Sequence, residues 1–260
     1  MDRELAVVAT ALQAAGAAVQ GVVQDGLQTT YKRGDDPLTQ ADLAANRVLQ
    51  EQLLGAFPQD GWLSEETQDQ EERLRRERVW VVDPIDGTRE LVAGIPEYAL
   101  SVALVVQGQP VLGGVYNPAR DELFLGVVGQ GVTYNGRSVR ADHPLQQPPL
   151  VLASRSEVRR GEWTGFQSTL QVQVVGSIAY KLARVAAGQA DATFSLGPKH
   201  EWDVAGGAAL VMAAGGVVTD ARGQALRFNQ MPPLLPGIVA TTPAAWEVIW
   251  PFIAAASPQT

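Results

Sequence analysis

Four apolar segments between Tyr98 and Val139 alternate with short groups of turn-forming residues, and this pattern restricts the fold more than any other. Each segment is as long as a typical strand, and the separators contain Gly, Pro or Asn. Consecutive strands of this kind pair as an antiparallel meander. The predicted strands cover residues 100–106, 111–116, 122–125 and 131–134.

Two helices are predicted before this meander, over residues 3–24 and 40–54, because apolar residues recur there at helical spacing. Thr39 has the position of an N-cap, and Asp42 has the position of the acid in a capping box. Asp42 therefore has a structural explanation within its own helix. Helices followed by an antiparallel sheet make the first half of the chain α+β.

The second half alternates strands and helices, which predicts an α/β arrangement. A Pro-rich stretch at 142–149 separates the halves, so we predict an N-terminal part over 1–145 and a C-terminal part over 146–260. The predicted strands are 150–153, 172–175, 190–194 and 217–219, and the predicted helices are 178–187, 202–214 and 243–255.

Composition excludes several classes of function. The 260 residues include 46% hydrophobic and 18% charged residues, as in ordinary soluble domains. A net charge of -8 argues against binding to nucleic-acid polymers or anionic membranes. The absence of cysteine excludes disulfides and thiolate metal sites. We find no signal peptide and no apolar run near the roughly 20 residues of a membrane span, so a cytoplasmic protein is expected.

The stretch from Val79 to Thr88 carries the chemistry. Its apolar start predicts a buried strand that ends at Asp83, and Asp86 follows after a Pro-Ile pair. Two acids at a strand end form a platform for a divalent cation, because hard ions prefer oxygen ligands. Taken alone, the motif is equally consistent with a polar turn.

A second acidic pair, Glu65 and Glu66, follows a short predicted strand that begins at Gly61. Neighbouring side chains of a strand point to opposite faces, so at most one glutamate should face a site. We assign Glu66 a structural or supporting role.

Three motifs together resemble the inositol monophosphatase superfamily of magnesium-dependent, lithium-sensitive phosphatases. They are Ser64-Glu65-Glu66, Asp83-Pro84-Ile85-Asp86-Gly87-Thr88, and Trp202-Asp203-Val204-Ala205-Gly206 followed by Ala214-Gly215-Gly216. Their spacing is similar to that of the family, and they extend over most of the chain. The resemblance implies a layered αβαβα sugar-phosphatase fold with the metal site between the two halves.

The resemblance also implies two or three Mg²⁺ ions, whose charge would make clustered carboxylates tolerable. The ligands it implies are Glu65, Asp83, the carbonyl of Ile85, Asp86 and Asp203, with Asp83 bridging two ions and Asp86 and Asp203 holding the second. Asp42 matches an acid near a weaker third ion in relatives, so capping and metal binding both stay open.

The same resemblance implies catalytic roles for Glu65, Thr88 and Asp83. Glu65 and Thr88 would orient the attacking water, while the backbone N–H groups of Gly87 and Thr88 would bind phosphate oxygens. Two ions clamp a phosphoryl group and make its attacking water acidic, so no histidine base is needed. The role of His200, one turn before Asp203, stays open.

Local features are similar to bacterial 3'(2'),5'-bisphosphate nucleotidases of the CysQ type. These are Thr88-Arg89-Glu90-Leu91, Ser154-Arg155-Ser156, and Gly176-Ser177 with Lys181 four residues on. Ser154, Arg155, Gly176, Ser177 and Lys181 would then bind a second phosphate. The structural alternative is that Ser156 caps a helix and that Arg155 and Lys181 are solvated.

Ser195 also distinguishes the chain from inositol phosphatases, which commonly place a sugar-binding acid there. One departure from the nucleotidase pattern is that the loop 34–38 lacks a serine between Asp and Pro. The expected function is thus removal of the 3'-phosphate from adenosine 3',5'-bisphosphate. An inositol or sugar-phosphate phosphatase, including fructose-1,6-bisphosphatase activity, is the alternative, and an inactive phosphate-binding protein is a more distant one. Homodimers are frequent among relatives.

Overall fold

The computed structural model describes residues 1–31 and 37–256, so most of the loop 34–38 lies outside the described residues. The described helices are α1 Asp2–Gly26, α2 Gln40–Ala56, α3 Thr88–Val92, α4 Arg155–Arg159, α5 Ile178–Ala186, α6 Glu201–Ala213 and α7 Pro243–Ala256, with a 3₁₀ turn at Glu71–Arg75. The described strands are β1 Thr29–Tyr31, β2 Pro37–Thr39, β3 Gly61–Ser64, β4 Arg78–Asp86, β5 Ala99–Val106, β6 Gln109–Asn117, β7 Glu122–Val127, β8 Gly131–Tyr134, β9 Arg137–Val139, β10 Leu150–Ala153, β11 Gln171–Val174, β12 Ala192–Ser195, β13 Lys199–His200, β14 Val217–Thr219, β15 Leu234–Leu235 and β16 Ile238–Thr241.

The predicted meander forms most of a seven-stranded sheet in the order β3-β4-β5-β6-β7-β8-β9. β3 and β4 are parallel, and every later neighbouring pair is antiparallel. The sequence pattern missed β9, which pairs with β8 across a tight turn at Asn135 and Gly136.

The second half contributes a five-stranded sheet in the order β11-β10-β12-β16-β14. Its first three strands are parallel, while β16 runs antiparallel to both β12 and β14. The sequence pattern missed β16 and the small pair β13 and β15, because each is only two to four residues long.

Alternation along β4 shows how the layers are stacked. Val79 and Val81 belong to an apolar cluster with α5, α6 and the second sheet, whereas Trp80 and Val82 pack with α1 and α2. On the far face of the second sheet, Ile249 of α7 closes a third cluster. The order is helix pair, sheet, helix pair, sheet, helix, which confirms the predicted αβαβα fold.

Helix α6 lies between the sheets and approaches β6 closely. A Cβ atom added to Gly113 would lie 2.3 Å from the carbonyl oxygen of Gly206. Glycine is therefore required where strand and helix backbones meet. Helices α5 and α6 form the middle layer and contact both sheets, so the two sheets share one core. The predicted division at residue 145 lies between these two sheets. That division stays a prediction.

Helix α1 is long and apolar enough to cross a membrane, contrary to the expectation from sequence. The expectation rested on uninterrupted apolar runs, whereas α1 is apolar on average with very few charges. Val8, Leu12 and Val19 on one face of α1 are fully buried against the sheet. The apolar side chains on this face of α1 are thus part of the protein core.

Candidate active site

A bulge in β4 sets the direction of the two aspartates. Asp83 pairs with Ser101 and Asp86 pairs with Ala99, so the Pro84-Ile85 pair lies opposite one residue. The strand therefore does not end at Asp83, as predicted, but continues to Asp86. In a regular strand, residues three apart point to opposite faces. The extra residue of the bulge brings the side chains of Asp83 and Asp86 to the same face. Both carboxylates face the α5/α6 layer.

Asp83 is buried among other acids. Glu65 follows β3, and its backbone N–H donates to Val82 O beside Asp83 at 3.3 Å. Burial is the largest cause that raises the pKa of Asp83 well above its ordinary value, and repulsion from Glu65, Asp86, Asp203 and Asp42 adds to it. Burial, then repulsion from Asp86 and Glu65, likewise raises the pKa of Asp203. The fold thus places acids from four separate elements within electrostatic reach of one another.

Asp86 is held by the start of α5. Its Oδ2 atom accepts hydrogen bonds from Ser177 Oγ and from the backbone N–H of Ala179, both at 2.6 Å. Burial raises the pKa of Asp86 to about 6, although these hydrogen bonds oppose the shift. Ser177 has φ 57°, a conformation that is uncommon without glycine, and its Oγ also accepts from Tyr180 N–H.

Asp42 has the capping role that its sequence context offered, and its other carboxylate oxygen contacts Thr88, while metal binding by Asp42 stays a prediction. It completes the predicted capping box, because Oδ2 accepts from the backbone N–H and from the hydroxyl of Thr39 at 2.8 and 2.6 Å. Its Oδ1 lies 3.0 Å from Thr88 Oγ1, which also lies 3.0 Å from the carbonyl of Ile85. The helix cap and the acid cluster therefore share one carboxylate.

The donor set fits a divalent cation. It consists of carboxylate oxygens and one carbonyl, which are the ligands that hard ions prefer, and a bound cation would relieve their mutual repulsion. Within residues 1–31 and 37–256, no three His, Asp or Glu side chains converge closely enough to hold an ion. The two hydrogen bonds to Asp86 turn its Oδ2 atom toward α5.

A cavity of about 500 Å³ opens beside the acids. Its wall carries these acids together with the cationic side chains of Arg89, Arg155, Arg159 and Lys199. Of the predicted site residues, the structure brings eleven to the cavity wall: Glu65, Asp83, Ile85, Asp86, Gly87, Thr88, Ser154, Arg155, Gly176, Ser177 and Asp203. Glu66 is not among the wall residues, in agreement with strand alternation.

Lys181 does not line this cavity. Its side chain is only 1% exposed, and its Nζ atom donates to Ser154 Oγ at 2.5 Å. The lysine therefore supports the wall from behind, and the structure does not bring it to the position of a direct phosphate ligand. The helical pattern gave no signal for this, because α5 is buried on nearly all sides.

The sequence as a whole matches the inositol monophosphatase family over residues 1–257. The chain belongs to this family. An inositol-1-monophosphatase of Mesorhizobium japonicum is 37% identical over 212 residues, which cover 78% of this chain and 79% of the relative. Members of the family are phosphatases and are generally metal-dependent, so the acidic cluster has a chemical explanation.

Two solved structures of the inositol monophosphatase family are similar in fold. The extragenic suppressor protein suhB of Bartonella henselae is 30% identical, with a TM-score of 0.80 and coverage of 96% of each chain. CysQ of Bacteroides thetaiotaomicron is 25% identical, with a TM-score of 0.76 and coverage of 92% of this chain and 96% of its own. The resemblance predicted from sequence is confirmed at the level of the family.

Several wall residues of this family member were not predicted as ligands. Trp202 lies in the third motif, yet its ring stacks on that of His200, with centroids 4.4 Å apart and planes at 4°. Two glutamates from the segment after β4 approach Arg155: Glu90, which lines the cavity, and Glu97, which is not among the wall residues. The pairing of a helix start with residues far earlier in the chain has no local sequence signal.

Proposed function

We propose that this phosphatase removes the 3'-phosphate from adenosine 3',5'-bisphosphate and leaves AMP, with Mg²⁺ as its cofactor. The observation that carries the proposal is that one cavity wall holds both acidic and cationic side chains. The acids suit metal ions and the phosphate that is cleaved, and the cationic side chains suit a second phosphate that is retained.

Two ions would be held by the acidic part of the wall, which consists of Glu65, Asp83, the carbonyl of Ile85, Asp86 and Asp203. Asp42 would hold a third ion through its contact with the Thr88 region. When bound, divalent ions supply Lewis acidity for ester hydrolysis. Glu65 and the hydroxyl of Thr88 orient the attacking water, and the backbone N–H groups of Gly87 and Thr88 donate to phosphate oxygens.

Among the cationic side chains, Arg155 is the main ligand of the retained phosphate, since a guanidinium group can make two parallel bonds to it. Ser154, Gly176 and Ser177 shape the wall around it. Lys181 acts through Ser154, whose hydroxyl it contacts. This replaces the direct phosphate contact that the sequence had suggested for Lys181.

The stacked rings of His200 and Trp202 support a nucleotide over an inositol ring. Both residues line the cavity, and an aromatic pair offers a surface on which a base can stack. Such a contact is of little use to a cyclohexane ring covered with hydroxyl groups, which needs hydrogen-bond acceptors. Ser195 has no such capacity, because it is buried and donates to Glu157 Oε1 at 2.6 Å.

Hydrolysis of inositol phosphates is the second candidate. It is supported by the relative of Mesorhizobium japonicum, whose name states that activity. We further infer lithium sensitivity and a cytoplasmic location from the family, whereas an inactive phosphate-binding protein is disfavoured because each implied metal ligand is retained. A homodimer also remains part of the proposal.

Phosphate release in Mg²⁺ from adenosine 3',5'-bisphosphate, adenosine 3'-monophosphate and inositol 1-phosphate tests the proposal. We expect kcat/KM to be highest for the bisphosphate. Equal or faster turnover of the inositol ester would overturn the substrate assignment. Asp83→Asn should abolish activity on all three compounds, and a variant that retains most of its rate would contradict the metal site.

A further inference from the structure

Arg155 forms ion pairs with two glutamates. Its Nη1 atom lies 2.6 Å from Glu97 Oε2 and 3.5 Å from Glu90 Oε1. All three side chains are partly exposed, at 30%, 17% and 15%, on or near the cavity wall. Arg155 and the two glutamates, here called the arginine triad, carry a net charge of -1.

The ion pair is close, but it is not a well-aligned hydrogen bond. Among the described residues, Nη1 of Arg155 is a buried atom without a hydrogen-bond partner of good geometry, although Glu97 is near. A planar guanidinium group forms its strongest bonds when two N–H groups meet two oxygens in one plane. The triad therefore neutralises Arg155 without satisfying its hydrogen-bonding capacity.

Glu97 also contacts Gly176 on the cavity wall. Its Oε2 atom accepts from the backbone N–H of Gly176 at 2.8 Å. A Cβ atom on Gly176 would lie 2.5 Å from Glu90 Cγ and 2.6 Å from the carbonyl oxygen of Glu97, so only glycine permits this packing. Burial raises the pKa of Glu97, but Arg155 and the Gly176 N–H outweigh it and the net pKa is lowered. Glu97 is thus a bound anion at the place where a second phosphate would bind.

We propose that Glu90 and Glu97 act as an internal counter-anion that the second phosphate of the substrate must displace from Arg155, and that they thereby set the affinity for this phosphate. The inference rests on the proposed function. A phosphate dianion offers Arg155 two oxygens in one plane and a larger charge than a carboxylate, so it replaces Glu97. A hydroxyl group or a single carboxylate does not. The triad thereby lowers the affinity for the second phosphate and leaves the binding of ligands that lack one unchanged.

The product AMP isolates this contact, because it keeps the 5'-phosphate and lacks the group that is cleaved. We would measure the affinity of the Mg²⁺-loaded protein for AMP and for adenosine by calorimetry. Glu97→Gln and Glu90→Gln remove one charge each, and the amide oxygen introduced by Glu97→Gln can still accept from the Gly176 N–H. We expect AMP to bind about three- to tenfold more tightly to each variant, because repulsion by one nearby charge is removed. Adenosine should bind as it does to the wild type.

Glu162→Gln is the matched control. Glu162 pairs with Arg160 just beyond α4, so the variant changes the net charge equally without touching Arg155. Unchanged or weaker AMP binding in both triad variants would overturn the inference, as would an equal gain for adenosine. A separate measurement on the wild type tests the proposed function. If that function is wrong, the wild type will show no preference for the bisphosphate over adenosine 3'-monophosphate. Tighter AMP binding in the triad variants would still support the displaced counter-anion.

Discussion

The ammonium group of Lys181 lies behind the cavity wall, 2.5 Å from the hydroxyl of Ser154. Burial lowers the pKa of Lys181 to about 8, although Glu157 and Asp86 oppose the shift. The Ser154–Arg155 segment is therefore held from inside by a charge that the protein keeps at some cost.

Lys181→Met should change how stability depends on pH. Between pH 8 and 10.5, the unfolded chain binds a proton at Lys181 that the folded protein does not bind, so folded stability rises with pH in this window. Across this pH window, the free energy of unfolding of the wild type should rise by about 3 kcal/mol relative to that of Lys181→Met. Urea unfolding at several pH values measures the difference. Lys199→Met, at a partly exposed lysine, is the control, and equal slopes for both variants would contradict the argument.

The metal-free protein should lose stability as the pH rises from about 4 to about 6. The folded-state pKa of Asp86 is raised to about 6, so its favourable contribution is complete below the unfolded value of 3.8 and is lost through this window. In Asp86→Asn, the decrease in the free energy of unfolding across this window should be smaller by about 3 kcal/mol. Urea unfolding in the presence of a chelator measures it. Added Mg²⁺ should restore stability at pH 7 to the wild type. Asp121→Asn, in an exposed turn, should behave as the wild type.

Thr88 should be needed for its hydroxyl group. That hydroxyl contacts Asp42 and the carbonyl of Ile85, and no other group of the side chain can do so. Thr88→Val should lower kcat about a hundredfold through loss of orientation, while Thr88→Ser should restore most of it. Steady-state kinetics on both variants checks the prediction. A valine variant with a normal kcat would exclude Thr88 from water positioning.

The aromatic pair should matter for nucleotides only. His200→Ala should raise KM for the bisphosphate about tenfold, since stacking on one base contributes about 1–3 kcal/mol, and His200→Phe should preserve it. The backbone N–H of His200, which donates to Asp203 Oδ2 at 3.2 Å, is present in both variants. Inositol 1-phosphate turnover provides the internal comparison. Equal losses on both substrates would point to a disturbed Asp203 instead.

Much of the fold could be predicted because helices and strands here have clear periods. The helix at 40–54, its Thr39 cap and the antiparallel meander follow from local residue order, and the structure confirms them. The strands β1, β2, β9, β13, β15 and β16 were missed, since short strands owe their pairing to the neighbours that tertiary structure supplies.

The candidate site shows the same division. Asp83, Glu65 and Asp203 were assigned through motifs, and the structure brings them to one cavity wall. Lys181 was assigned to substrate through the motif that it shares with CysQ-type nucleotidases, yet both faces of α5 are covered. The contact between Arg155 and Glu97 depends on how the two sheets are stacked, which local sequence does not encode.

Because of the extra residue in the β4 bulge, metal binding depends on the number of residues between Asp83 and Asp86 as well as on their identity. If Ile85 were deleted, Asp86 would take the opposite orientation and meet the apolar α1/α2 layer, far from Ser177. An added residue between Asp83 and Asp86 would have a comparable effect. Relatives that keep the reaction should therefore vary in length at turns such as 107–108, and this four-residue interval should be free of insertions and deletions.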